Sequence, residues 1–328
     1  MSQNFPSNLQ VSADGTVPVG PDGLIRPHNP TLSQLRAVCQ PPHVRARKNA
    51  EHWTAELYLR HISIYFTRLL IKTPINANQV TTTMMITGWF MGAAMLIPGI
   101  WGPLIAVILS QVQLYLDCCD GEIARWRGVR GPKGIFIDMV AHHSTEAAVA
   151  VGVGVRVAMG ISPDAFTAAG WAAAWAGSTL GVLLLMNRSQ SIMMHASRAF
   201  AGVEKLPDTR EARAMPPASL IGRLRRLARF VPFHRLLHAV ELSLIFLAAS
   251  IVSAVIGKPV IAEAWVMWIL LVATLGVNIG HFCAQVFSAR LAPLSTGWEY
   301  KRPEDVDVQP AELLSSQADN SGERHGER

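Results

Sequence analysis

Six apolar stretches, each close to the length of a membrane-crossing helix, constrain this chain more than anything else in it. They lie near residues 79–98, 101–119, 136–157, 165–186, 237–256 and 263–286. About 20 residues of helix cross the roughly 30 Å hydrocarbon layer of a bilayer. At that length only helices satisfy their own backbone polar groups in lipid, so a bundle is predicted. Several stretches are rich in Gly, Ala, Ser and Thr, 165–181 above all, which allows close helix–helix approach. Composition agrees: half the 328 residues are hydrophobic and 16% are charged, against roughly 25% charged in a soluble domain. That balance excludes a mainly disordered chain and argues against a cytosolic enzyme.

The flanks read differently. Residues 1–44 are polar and punctuated by Pro18, Pro21, Pro27, Pro30, Pro41 and Pro42, which predicts a flexible cytosolic tail. Residues 291–328 are predicted to be a second such tail. Over 45–72, Trp53, Leu57, Ile64 and Tyr58, Ile62, Tyr65, Leu69 recur at helical spacing, interrupted by Arg45, Arg47, Lys48, Arg60 and Arg68. This mixture predicts an interfacial helix on the membrane surface, a soluble amphipathic helix being the plainer alternative. The fold class is thus all-α, a polytopic membrane protein with six transmembrane helices over 73–290 preceded by an interfacial amphipathic helix.

Orientation follows from the basic residues. Segment 120–133 carries Arg125, Arg127, Arg130 and Lys133, and segment 187–236 carries ten, Arg188, Arg198, Arg223, Arg225, Arg226 and Arg229 among them. The alternate connections near 99, 158–164 and 257–262 carry almost none, with Arg156 and Lys258 the nearest exceptions. The positive-inside rule places both termini and both basic loops in the cytoplasm of a multi-pass cell-membrane protein. The net charge of +6 is then a membrane pattern rather than a nucleic-acid footprint, and no nucleic-acid partner is expected. Cys39, Cys118, Cys119 and Cys283 form neither a CxxC pair nor a zinc spacing. Residues 1–44 lack the apolar core of a signal peptide, so the internal spans are expected to direct insertion.

One constellation carries chemistry. The second apolar stretch ends in Asp117-Cys-Cys-Asp120-Gly121-Glu-Ile-Ala124-Arg125, followed at fixed intervals by Gly134 and Asp138. Asp117 and Asp120 share a helix face at i, i+3. Carboxylates at a membrane boundary are costly and repel each other, so they need compensation. Hard divalent cations supply it, because they prefer oxygen ligands and leave room for substrate phosphates. Gly121 and Ala124 leave space beside the helix, and Arg125 offers a planar donor fork suited to phosphate.

This spacing resembles the signature of the CDP-alcohol phosphatidyltransferase family, D-x2-D-G-x2-A-R-x8-G-x3-D-x3-D. Asp117, Asp120, Gly121, Ala124, Arg125, Gly134 and Asp138 match in identity and interval, and the last aspartate is replaced by His142. A weaker family feature at the start of the first span, Pro-Asn-x-x-Thr, stands here as Ala77-Asn78-Gln79-Val80-Thr81, with the proline lost. The resemblance covers roughly residues 74–290. It implies transfer of a phosphoryl-alcohol group from a CDP-alcohol such as CDP-diacylglycerol to an acceptor hydroxyl, with release of CMP, in phospholipid biosynthesis. It further implies two divalent metal ions, Mg²⁺ or Mn²⁺, held by Asp117, Asp120, Asp138 and His142. Gly121, Ala124 and Arg125 would lie at the CDP, with Asn78 and Thr81 near the nucleotide, and the chain would be a homodimer among membrane lipids.

His142 is one turn beyond Asp138 and on the same face. A neutral imidazole can bind a metal or take a proton, so His142 is the expected catalytic base for the acceptor hydroxyl. Glu146, another turn along, is the alternative, and His143 is expected to point elsewhere. Arg188, His195 and Arg198 are candidates for an anionic acceptor, although positive-inside anchoring explains them as well. Glu241 and His281 lie inside apolar stretches, as cavity-lining groups or as helix–helix contacts. Two other classes compete. A membrane prenyltransferase also uses aspartate-rich helices, magnesium and a diphosphate, but carries about nine spans and a second aspartate-rich helix. A non-catalytic transporter or scaffold derived from the family would account for the histidine.

Overall fold

The computed structural model describes residues 19–20, 22–45, 54–129, 131–162, 167–203, 237–288 and 291. Among them the single extended pairing is an isolated bridge between Val19 and Ile25, and all other regular structure is helical. Residues 1–286 form one compact unit; of the second, 287–328, only Phe287, Ser288 and Leu291 are described. The C-terminal segment expected as a tail therefore lies almost wholly outside the described residues.

Two short helices come first, α1 (Leu32–Cys39) and α2 (Pro42–Arg45). A π-helical turn, Ala55–Leu59, runs into α3 (Arg60–Leu70). The long helices follow: α4 (Ala77–Ala94), α5 (Trp101–Trp126), α6 (Pro132–Ile161), α7 (Ala168–Phe200), α8 (Ala239–Ile256) and α9 (Ile261–Val286). Local signals set their ends. Asn76 caps α4, accepting from the Gln79 amide at 2.9 Å while Gln79 Oε1 accepts from the Asn76 amide at 2.8 Å. Pro132 opens α6, where its missing N–H is no loss. Gly257 closes α8 with φ of 71°, a left-handed conformation that glycine adopts freely.

Five of these helices, α5 to α9, are long and apolar enough to cross a membrane. The first expected stretch, 79–98, becomes the 18-residue α4, which ends at Ala94 and falls short of that apolarity. Thr81, Thr82, Thr83 and Thr87 dilute it, and Thr82, Thr83 and Thr87 each turn the hydroxyl back to the carbonyl one helical turn earlier. Elsewhere the helices outrun the apolar stretches. The fourth stretch, expected to end at 186, continues as helix to Phe200. A hydropathy boundary marks where lipid ends; the backbone ladder keeps going into the polar zone.

The bundle packs at glycines. A Cβ on Gly152 of α6 would sit 2.2 Å from the Gly92 carbonyl oxygen of α4, and one on Gly177 of α7 would sit 2.4 Å from Gly154 Cα of α6. Backbones can approach this closely only without side chains between them. Met91, Val153, Leu180, Leu242, Phe246 and Met267 fill the shared core. Trp101, Trp171, Trp175 and Trp265 are all exposed, near the first residues of α5, α7 and α9, and so mark one end of the bundle. Aromatic side chains favour such positions at a membrane–water boundary.

At the opposite end lie the α5–α6 connection and the N-terminal segment. The expected flexible tail over 1–44 does not hold for its second half. Leu35, Val38 and Cys39 are buried against Ile64 and Trp126, on a helix with a reciprocal Thr31–Gln34 cap. Only one narrow stripe of that helix is apolar, which is why composition missed it. Helix α3 exposes Ile62, Tyr65 and Leu69 while burying Ser63, Ile64, Thr67 and Leu70.

Candidate metal centre

The last three turns of α5 carry the motif. Cys118 and Cys119 point into the protein, whereas Asp117 and Asp120 are half-buried on the neighbouring face. Helix α6 brings Asp138 and His142 alongside, one turn apart. His142 Nε2 lies 3.2 Å from Asp117 Oδ1 and 3.4 Å from Asp138 Oδ1. One donor atom from each of the three residues falls within 4.8 Å of the others. Their side chains remain 32–44% exposed, so the cluster opens outward.

Asp120 stands apart from that trio. Its Oδ2 accepts a 2.6 Å hydrogen bond from Thr81 Oγ1 of α4. Nearby, a Cβ on Gly134 would come within 3.2 Å of Asn78 Oδ1. The weak Asn-x-x-Thr pattern and the aspartate motif, far apart in sequence, thus meet at two points. Three ligand atoms, two carboxylate oxygens and an imidazole nitrogen, could hold one divalent ion. A second ion would need Asp120 to turn from Thr81.

Arg125 folds back over Gly121: a Cβ there would meet Nη1 at 3.2 Å and Nη2 at 3.3 Å. The room expected beside Gly121 is therefore occupied by the arginine's own guanidinium. Arg125 Nε donates to the Cys39 carbonyl at 2.5 Å, which ties the fork to α1. Ala124 is half-buried.

The residue between these motif positions, Glu122, went unnoticed in the sequence and is fully buried. Gln40 Nε2 and Ser63 Oγ donate to its Oε1 at 2.7 Å each, and Thr67 Oγ1 donates to Oε2 at 2.6 Å. Arg26 adds a further tie, donating from Nε to the Trp126 carbonyl at 3.0 Å and stacking over that indole. Arg26 also holds the Asp22 carboxyl below its ordinary range through their hydrogen bond. Burial pushes the Cys39 thiol well up, so Cys39 is a packing residue rather than a nucleophile. The available signal was Ser63 and Thr67, polar residues one turn apart on the buried face of α3.

Glu146, the alternative base, is buried and gripped bidentately by Arg188 through Nε at 3.0 Å and through Nη2. It serves that pair rather than the cluster. Arg188 also lines a cavity of about 480 Å³ between α6, α7 and α9, together with His143, Asn187, Ser191, His238 and His281. His143, expected to point elsewhere than His142, is not part of the cluster and forms part of this wall. His195 and Arg198, on the last turns of α7, are not among the lining residues; His195 is exposed and Arg198 half-buried. Glu241 lies in the first turn of α8.

No model of a known protein family matches the chain, and no curated protein is similar to it.

Proposed function

We propose that the chain is a membrane-bound CDP-alcohol phosphatidyltransferase that moves a phosphoryl-alcohol group from a CDP-alcohol, such as CDP-diacylglycerol, to an acceptor hydroxyl. The observation that carries this reading is the convergence of Asp117, Asp138 and His142, flanked by the Thr81–Asp120 contact. Three separated stretches of sequence, on α4, α5 and α6, meet at one partly open cluster. In this reading α4 is the sixth span, α3 lies in the membrane interface, and the cluster faces the cytoplasm of a cell-membrane protein. The same reading makes the chain a homodimer.

The reaction is a displacement at phosphorus. The acceptor oxygen bonds to the phosphoryl group bearing the alcohol, the bond to CMP breaks, and the acceptor's proton passes to a base. Asp117 and Asp138 would hold a divalent metal, with Asp120 available once released from Thr81, and bound there it would neutralise charge on the diphosphate and the leaving CMP. Arg125, steadied at Nε by Cys39, keeps its Nη fork for a phosphate oxygen. His142 Nε2 points between the two carboxylates, which suits a ligand in the aspartate's place; as the base it would act from that position uncoordinated. Gly121, Ala124, Asn78 and Thr81 shape the nucleotide side.

The test is CMP release from CDP-diacylglycerol by purified protein with Mg²⁺ or Mn²⁺ and a panel of hydroxyl acceptors. Release that vanishes in Asp138→Asn supports the reading. No release with any acceptor refutes it.

A further inference from the structure

We propose that the cavity beside the cluster binds an uncharged, hydroxyl-rich ligand, and that the acceptor is therefore a neutral polyol rather than the anionic compound its arginine first suggests. This rests on the transferase reading for the word acceptor, but the binding site itself does not.

The cavity adjoins the cluster through one helix. Asp138 and His142 of α6 belong to the cluster, while the next residue, His143, lines the cavity. A ligand there lies against the adjoining face of the same two turns, about 100° around α6 from Asp138 and His142. Its volume of about 480 Å³ suits a small molecule.

Charge decides the ligand class. Arg188 is the one side chain of fixed positive charge among the described lining residues. Glu146, with 4% of its side chain exposed, holds it in a two-point ion pair. The pair is neutral as a unit, and drawing the half-buried arginine away would leave the buried Glu146 carboxylate bare behind it. A phosphate entering the cavity would meet no uncompensated fixed cation among these residues. The other polar walls are Asn187, Ser191 and imidazoles, groups that exchange hydrogen bonds with hydroxyls.

His143 adds a directional demand. Its Nδ1 faces the Met139 carbonyl, which can only accept, so that nitrogen carries a proton. The ring's other nitrogen, Nε2, is buried with no hydrogen-bond partner among the described residues. A buried polar atom left unpaired costs about 1–3 kcal/mol, and a ligand hydroxyl, which both donates and accepts, can pair it.

The experiment uses the full chain in detergent without metal or CDP donor. Equilibrium binding is measured for glycerol, sorbitol and inositol, each against its own monophosphate. At least one neutral polyol is expected to bind about tenfold or more tighter than its phosphate, the equivalent of one lost charge-compensated contact. Glu146→Gln frees the charge of Arg188 and should reverse that order; His143→Phe should weaken polyol binding while leaving the thermal midpoint unchanged. Tighter binding of the phosphates by the wild-type chain, or no binding of any neutral polyol, overturns the inference. CMP release with a phosphorylated acceptor would keep the transferase and overturn the polyol. Polyol binding without CMP release under any condition would keep the cavity and refute the transferase.

Discussion

Replacing His142 with aspartate restores the four-carboxylate pattern and makes the electrostatics of the cluster measurable. In the wild-type chain one imidazole lies 3.2 and 3.4 Å from two carboxylate oxygens and bridges them. His142→Asp removes the bridge and adds a third negative charge. Two like charges at 4 Å repel by about 4 kcal/mol at an effective dielectric near 20. These side chains are about a third exposed, so screening cuts this to on the order of 1–2 kcal/mol per pair. Two new pairs then destabilise the metal-free variant by roughly 2–4 kcal/mol, a drop of several degrees in thermal midpoint. Divalent cation should more than recover it, because ligand binding to the folded state alone raises stability by mass action. The assay is thermal unfolding of both proteins in chelator, Mg²⁺ and Mn²⁺. The wild-type chain, with a nitrogen ligand, should gain more from Mn²⁺ than from Mg²⁺, and the variant should gain strongly from both. In turnover, His142→Ala should lose about a hundredfold or more and His142→Asp should retain a measurable part. Equal midpoints for wild type and variant in chelator, with no gain from either cation, would refute the cluster as a metal site.

Asp117→Asn and Asp138→Asn should each nearly abolish CMP release, and the double variant should be no worse than either alone, because they act as one unit; multiplied losses would contradict that. Gly152→Ala places a Cβ 2.2 Å from a backbone oxygen where ordinary contact begins at 3.4 Å, so α4 and α6 must part by up to about an ångström. Overpacking of this kind costs about 1–3 kcal/mol, and a lowered midpoint together with reduced activity is expected, since α4 carries Thr81. Glu122→Gln should raise the KM for the CDP donor more than it lowers kcat, because it loosens the strap on Arg125; a variant that only unfolds earlier, with unchanged KM, would make Glu122 purely structural. Cysteines introduced at positions 160 and 210 should label from opposite sides of the membrane, and labelling from one side would break the six-span topology.

Much of this architecture is legible in the sequence because lipid imposes a simple rule on long segments. The five apolar helices sit where hydropathy places them, and the spacing Asp117–Asp138–His142 does bring the three together. What the sequence hides is of two kinds. Helix α1 buries only Leu35, Val38 and Cys39, a stripe too thin to stand out against prolines and polar residues. Partnership between charges is hidden as well: Glu146, inside the third apolar stretch, and Arg188, in the basic segment after the fourth, read as separate candidates until the structure shows them gripping each other. Gly121 is a third case. A small residue beside an arginine reads as space for a ligand, and the space belongs to the arginine.

The acidic side chains around the bundle divide by how completely the protein answers them. Glu122, Glu146 and Glu263 are 0–3% exposed. Glu122 takes three donors from neutral groups, Glu146 an arginine fork, and Glu263 both Arg156 at 3.2 Å and the Ser253 hydroxyl. Arg156 in turn donates to the carbonyls of Ile97 and Gly99 at 2.6 Å, closing the far end of the bundle. Each of these acids would be costly in lipid, and each is compensated by fixed partners, as a structural role demands. Asp117 and Asp138 are treated otherwise. They sit close enough to repel, remain partly open, and share a single imidazole between them. A chain that answers Glu122, Glu146 and Glu263 with fixed partners leaves Asp117 and Asp138 short of positive charge, and in the proposed transferase a divalent cation with a phosphate ligand would complete the pair.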